Sequence, residues 1–382
     1  MARPAPVIAA LAVLAAVAWL GLLGARGGFW RCDQTLDEER ALTTADVLAI
    51  VPARDEGALI EASVGSLLAQ DYGGRLDVVV VDDGSRDDTA ARARALAVPP
   101  GRGLHVHRAP PPPTGWSGKV AAQRAGLEVA AGAGLAAPWL WLTDADIVHA
   151  PEALSRLVAT AERRQVALVS VMADLNVASA VERWLVPAFV YFFQLLYPFR
   201  AVNDPRGPVA AAAGGCMLVE RAALARAGGL EAIGERLIDD VALARAVKGS
   251  GAPVRLVLAH ACRSHRAYDL AAFWTMVRRT AFTELRHSWW RLAGALAGLA
   301  LLFVVPPSAV IAAEGAGRLA AGVALGAMAV SAWPILRWYG LGGWRVLLWP
   351  PAAWAYMAMT LHSALAHARG RTARWRGRLY RS

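Results

Sequence analysis

Residues 7–24 form about 18 consecutive uncharged, mostly apolar positions, close to the number an α-helix needs to cross a hydrocarbon core. A cleaved signal peptide would require a basic start and a small-residue cleavage site. Only Arg3 precedes this stretch and the bulky Phe29-Trp30 pair follows it, so residues 1–28 read as a retained transmembrane anchor. From Val47 to about Ala261 the pattern changes, and short β-branched runs alternate with helical periodicity, which predicts a parallel, doubly wound α/β domain. Residues 47–51 and 78–81 are unbroken apolar runs, as strands covered on both faces require. Between them Leu59, Ile60, Val64, Leu67 and Leu68 recur at helical spacing. Runs at 139–142 and 168–171 predict further strands, with Pro151 at the first turn of the helix that joins them.

Residues 181–199 are apolar and aromatic, with Trp184, Phe189, Tyr191, Phe192, Phe193, Tyr197 and Phe199 interrupted by Pro187. Their flanking charges predict a helix lying in the headgroup region, with a buried core helix as the alternative. Within residues 290–368 three apolar segments follow, at about 292–313, 319–338 and 346–366, each near spanning length and with Trp333, Trp338, Tyr339, Trp344 and Trp349 near their ends. Three crossings would put the basic tail 369–382 on the side opposite the α/β domain, against the positive-inside tendency. A Pro-Pro-containing segment, at Pro306-Pro307 or Pro350-Pro351, is therefore expected to be re-entrant or interfacial.

Composition agrees with membrane contact: 56% of the 382 residues are hydrophobic and 18% charged, more apolar than ordinary soluble domains. The net charge of +10 raises nucleic acid as a partner. The arginines, however, flank apolar blocks and crowd the tail (Arg369, Arg371, Arg374, Arg376, Arg378 and Arg381), so an anionic membrane surface is expected instead. Cys32, Cys216 and Cys262 are far apart with no paired spacing, which suggests reduced, buried thiols and neither a disulfide framework nor a zinc site.

The candidate chemistry sits where the predicted strands end. The first runs into Pro52, Ala53, Arg54, Asp55 and Glu56, and the second into Asp82, Asp83, Gly84 and Ser85. Ligands of open α/β sheets bind outside the carboxyl ends of the strands, where such carboxylates can accept from a base N–H or ribose hydroxyls; helix capping is the competing role. The third strand ends in Thr143, Asp144, Ala145 and Asp146. Phosphates repel carboxylates unless a cation lies between them, so Asp144 and Asp146 suggest Mg²⁺ or Mn²⁺ bridging to a diphosphate. Asp239 and Asp240 are adjacent acids, of which one can act as a base while the other orients it. Lys119 and Arg279 could contact a donor phosphate. His149 is near enough to the acid pair to be a ligand, although packing at the start of the following helix is the plainer role.

Together these strings resemble the family 2 glycosyltransferases of GT-A fold over residues 45–285. The resemblance implies a Rossmann-like domain taking a nucleotide-diphosphate sugar such as a UDP-sugar, with Asp144 and Asp146 as the metal motif and Asp240 as catalytic base. Asp55 stands where Asn is more usual, and the Gln-x-x-Arg-Trp motif of processive members is absent, Met276 to Thr280 being the nearest run. Residues 29–34, 142–151, 197–205 and 214–219 resemble the bacterial hopene-associated glycosyltransferases. That resemblance implies a hopanoid-pathway context. With the apolar segments it leads to the expectation of a lipid acceptor and a multi-pass protein of the bacterial inner membrane, whose catalytic domain is expected in the cytosol because nucleotide sugars are made there. Other lipid acceptors (a sphingoid, a glycerolipid or a polyprenyl phosphate) and a non-catalytic scaffold keeping the fold are the alternatives.

Overall fold

A computed structural model describes residues 5–370 and the backbone of the paired strands Arg374–Trp375 and Arg378–Leu379. Of the tail arginines only Arg369 has a described side chain, so the expectation for 369–382 lies otherwise outside the described residues. The chain divides into two compact units.

One unit is built mainly from residues 33–176 and 201–266 around an eight-stranded sheet. Its strands are β1 (Val47–Ala53), β2 (Leu76–Asp82), β3 (Arg102–Arg108), β4 (Trp139–Thr143), β5 (Ile147–His149), β6 (Leu168–Asp174), β7 (Cys216–Glu220) and β8 (Val254–Ser264). They are ordered β3-β2-β1-β4-β7-β6-β8-β5. All seven residues of β2 and of β6 are buried, while β3, at the edge, is only half-buried. The expected parallel arrangement holds for β3, β2, β1 and β4 and for the β6–β8 pair, but not throughout. β7 runs antiparallel to both β4 and β6, and β5 runs antiparallel to β8. An unbroken apolar run shows that both faces are covered; it carries no information about strand direction, and this is why the sheet is mixed where a parallel one was expected.

The order β2-β1-β4 reverses direction in sequence at β1, so the switch point lies between β1 and β4 and opens a crevice at their carboxyl ends. Because β7 is antiparallel, its start at Cys216 pairs with Thr143 at the end of β4 and brings Gly214 and Gly215 to the same edge. Helix Ile60–Leu68 buries Ile60, Val64, Leu67 and Leu68 in the core beside the sheet, and helix Gly118–Gly132 crosses β1 and β2 closely. A Cβ on Gly126 would sit 2.9 Å from methyls of both Ile50 and Val81, so only glycine permits that approach.

The other unit is helical, with helices Ala5–Ala25, Ala180–Leu196, Leu270–Glu284, Trp289–Phe303, Val305–Ala312, Gly315–Trp338 and Trp349–Ala368. Two of them, at Pro6–Ala25 and Gly315–Trp338, are long and apolar enough to cross a membrane. Close packing joins this pair, since a Cβ on Gly317 would approach that of Ala9 to 2.7 Å. Trp289–Phe303 and Val305–Ala312 meet at a 42° bend beside Pro306-Pro307, the geometry of a broken span or a re-entrant loop. Pro350 and Pro351 instead start the helix Trp349–Ala368, where proline is readily accommodated, and that helix does not reach spanning hydropathy. In the 181–199 segment a capping box of Ser179 and Glu182 starts the helix. Its Tyr191 is fully buried with its hydroxyl 2.8 Å from that of Ser331, and the backbone carbonyl of Leu185 accepts from the Tyr356 hydroxyl at 3.0 Å.

Candidate active site

At the carboxyl ends of β1 and β2 two loops are stitched together. Asp83 N donates to the Ala53 carbonyl at 2.8 Å, and Pro52 lies opposite Val81 in the β1–β2 pairing. Asp82 Oδ1 accepts from Ser85 N at 2.9 Å, while Ser85 Oγ accepts from Asp55 N at 3.0 Å. Asp55 Oδ1 in turn accepts from Arg86 N at 2.8 Å. Asp55 has a φ of +52°, the left-handed region that Asp and Asn share as the best-tolerated side chains, so Asp in place of the more usual Asn keeps the turn. Glu56 N donates to Thr89 Oγ1 at 2.8 Å, and the buried Asp83 carboxylate lies 3.5 Å from the Arg54 guanidinium. Asp82 and Ser85 therefore hold the loop that presents Asp83.

The denser cluster forms at the end of β4. Asp144 N donates to the Gly215 carbonyl at 3.2 Å, which ties the acidic turn to the start of β7. Lys119, from the first turn of helix Gly118–Gly132, places Nζ 2.6 Å from Asp144 Oδ1, 3.6 Å from Asp239 Oδ2 and 3.2 Å from the Gly214 carbonyl. Asp239 and Asp240 begin the helix Asp239–Gly249. Asp240 Oδ2 accepts from Gly214 N at 2.8 Å, and its Oδ1 accepts from Val241 N at 2.8 Å. A Cβ on Gly214 would lie 2.9 Å from Lys119 Nζ and 3.2 Å from Asp240 Oδ2, so a side chain there would displace these two groups. Asp146 Oδ2 accepts from Ser264 Oγ at 2.8 Å and from Arg266 Nε at 3.2 Å, and Arg266 also reaches Glu56 Oε1 at 2.6 Å.

The electrostatics follow from this crowding. Burial pushes Asp240 upward, the neighbouring charge of Asp239 adds to the shift and Lys119 opposes it, leaving the carboxyl at about 7. Asp144 is also raised by burial, against the pull of Lys119, with Asp146 and Asp239 adding to the rise. For Lys119 burial acts downward, but Asp144 and Asp239 overcome it and hold the ammonium charged well above its usual range.

Of the expected residues, Lys119, Asp144, Asp239 and Asp240 come together, and Glu56 and Asp146 meet through Arg266. Pro52, Ala53, Asp82, Asp83 and Ser85 form the neighbouring loop pair. Arg279 lies on helix Leu270–Glu284 in the helical unit. Ser264 and Arg266 escaped the sequence reading because they are 118 and 120 residues from Asp146 and meet it only through the β5–β8 pairing. His149 is buried, its Nε2 2.9 Å from Thr143 Oγ1 and its ring 4.5 Å from that of Trp141.

The sequence of residues 45–283 matches the family described as Glycosyltransferase like family 2. The chain belongs to this glycosyltransferase family. Its fold is GT-A, and this family 2 glycosyltransferase is similar to a mannosyltransferase from Pyrobaculum calidifontis solved with GDP-Man and Mn²⁺. The identity is 21% and the TM-score 0.58, over 95% of this chain and 99% of that one. A glucosyl-3-phosphoglycerate synthase from Mycobacterium tuberculosis, solved with Mn²⁺, UDP and glucosyl-3-phosphoglycerate, overlaps more loosely. It is 17% identical over 63% of this chain and 80% of that one, with a TM-score of 0.39. No curated protein matches the chain.

Proposed function

We propose that this glycosyltransferase moves a sugar from a metal-bound nucleotide diphosphate to a lipid hydroxyl at the cytosolic face of the bacterial inner membrane, with inversion at the anomeric carbon. The observation that carries the reading is the meeting of Asp144, Lys119 and Asp240 at the carboxyl end of β4. Glu56, Asp144, Asp146, Asp239 and Asp240 supply five acids against the two cations Lys119 and Arg266. That negative excess and the all-oxygen donors of Asp144 and Asp146 suit a hard divalent cation, Mg²⁺ or Mn²⁺. When bound, such an ion neutralises charge on the leaving diphosphate. The Mn²⁺ and GDP-Man of the Pyrobaculum mannosyltransferase favour the same reading.

The chain's own groups do the rest. The loops carrying Asp83 and Glu56 would hold the nucleoside. Asp240, poised near neutrality and fixed through Gly214 N, accepts the proton of the attacking hydroxyl, and Asp239 tunes it. A lipid acceptor is favoured by the two helices able to cross a membrane, and the hopanoid context by the resemblance in residues 29–34, 142–151, 197–205 and 214–219. The sheet unit is assigned to the cytosol because nucleotide sugars are made there; periplasmic labelling of that unit would overturn the assignment.

Membranes containing the protein, incubated with labelled UDP- and GDP-sugars with and without hopanoid lipids, should yield a metal-dependent glycolipid identifiable by mass spectrometry. A product built only on sphingoid, glycerolipid or polyprenyl phosphate would replace the acceptor and leave the transfer intact. Absence of both turnover and metal-dependent nucleotide binding in folded protein would favour the scaffold alternative.

A further inference from the structure

Three side chains that sugar transfer does not use converge in the core of the sheet unit. His149 ends β5, Cys216 begins β7, and Cys262 lies on β8 directly opposite His149 in the β5–β8 pairing. Both cysteines are fully buried and His149 is 3% exposed. The two Sγ atoms are 3.6 Å apart, and one ligand atom from each of the three residues lies within 4.8 Å of the other two. His149 Nε2 is engaged by Thr143, and its buried Nδ1 has no well-aligned hydrogen bond, the ring having the Cys216 thiol beside it. A thiol is a weak donor, so a cation shared by the imidazole and the two sulfurs would satisfy that nitrogen better.

We propose that His149, Cys216 and Cys262 form a binding site for a thiophilic d¹⁰ cation, Zn²⁺ or Cu⁺, separate from the carboxylate site. Two thiolates and an imidazole are soft donors, so the site discriminates against the Mg²⁺ or Mn²⁺ that Asp144 and Asp146 suit. Two sulfurs bound to one tetrahedral zinc at about 2.3 Å each stand roughly 3.7 Å apart, close to the separation found here. Charge favours Zn²⁺ of the two cations. With two thiolates and a neutral imidazole it leaves the core uncharged, whereas Cu⁺ would leave one net negative charge in an apolar setting. The surroundings suit this role as well: Trp141 Nε1 donates to Cys216 Sγ at 3.3 Å, and the Thr143 hydroxyl holds the far side of the His149 ring while donating to the Gly215 carbonyl at 2.9 Å. A bound ion would tie β5, β7 and β8 together beside the acidic turn, since Cys216 pairs with Thr143, the residue before Asp144. It would enter during folding, as the site is closed in the folded chain.

The test uses the full-length protein purified in detergent under reducing conditions. Elemental analysis should find about one equivalent of zinc or copper, and which of them decides between the two cations. Protein produced in cobalt-supplemented medium should show the thiolate-to-cobalt charge-transfer band. That band should persist in Asp146→Asn and vanish in Cys216→Ala and in Cys262→Ala. Wild-type protein lacking both bound zinc or copper and the cobalt band would overturn the proposal without recourse to any variant. So would isolation of the protein with Cys216 and Cys262 joined as a disulfide, or a band that survives loss of both cysteines.

Discussion

Lys119 Nζ lies 2.6 Å from Asp144 Oδ1. The same ammonium is 3.6 Å from Asp239 Oδ2, and its charge also lowers the Asp240 carboxyl. Its position fits a countercharge within the acid cluster as well as a ligand for donor phosphate. Lys119→Met should therefore raise Asp240 further, since the ammonium that holds it down is gone. Transfer at pH 7 should fall about five-fold for a first unit of that rise, approaching roughly tenfold for each further unit, and recover in part as the pH is increased. A pH-independent loss of donor affinity would instead point to a phosphate contact alone.

Asp240→Asn keeps the size and polarity of the side chain but cannot take the acceptor's proton. Loss of a general base typically costs 10²–10⁴-fold in rate, or roughly 3 to 5 kcal/mol of barrier. We expect kcat to fall within that range while metal-dependent nucleotide binding, measured by calorimetry, is retained. A folded variant with near-normal turnover would move the base to another carboxylate.

The sign of the pH dependence follows from Asp240 standing at about 7, above its ordinary 3.8. Its base form is present above that value, so kcat should climb through neutrality and level off. Stability should run the other way. Between the ordinary carboxyl range and pH 7 the folded state holds a proton that the unfolded chain has released, so stability falls as pH rises across that window. Asp239 raises Asp240, second only to burial. Asp239→Asn should therefore displace the acidic limb of the kcat profile to lower pH, a shift that a purely structural role for Asp239 would not produce.

Much of this site was legible because its acids follow apolar runs. Residues 47–51, 78–81 and 139–142 read as buried strands and are strands, and parallel neighbours place Glu56, Asp83 and Asp144 at one edge. The direction of β7 was not legible, because Cys216 to Glu220 is as apolar in either direction. That direction is what delivers Gly214 to Lys119 and Asp240. Long-range pairing hid the remainder: Cys216 and Cys262 are 46 residues apart in sequence and meet only through the folded sheet. Arg266 is hidden in the same way, 120 residues from the Asp146 it reaches.

Ser264 gives the last prediction. Its hydroxyl donates to Asp146 Oδ2 at 2.8 Å and its side chain is almost wholly buried, so it fixes how that carboxylate is turned. If Asp146 is a metal ligand, Ser264 is the group that orients it, and removing such an orienting group typically weakens metal binding 10- to 100-fold. Ser264→Ala should lower Mn²⁺ affinity by about that factor, measured by calorimetry with nucleotide present, while kcat at saturating Mn²⁺ stays within a few-fold of the parent. Asp146→Asn should be much more severe, because it removes a ligand charge and not only its orientation. The hydroxyl's loss also leaves Asp146 one partner short, so a small decrease in thermal stability should accompany the weaker binding even in chelator. Unchanged Mn²⁺ affinity in Ser264→Ala together with a strong loss in Asp144→Asn would leave Asp144 as the ligand and make Asp146 the structural partner of Arg266.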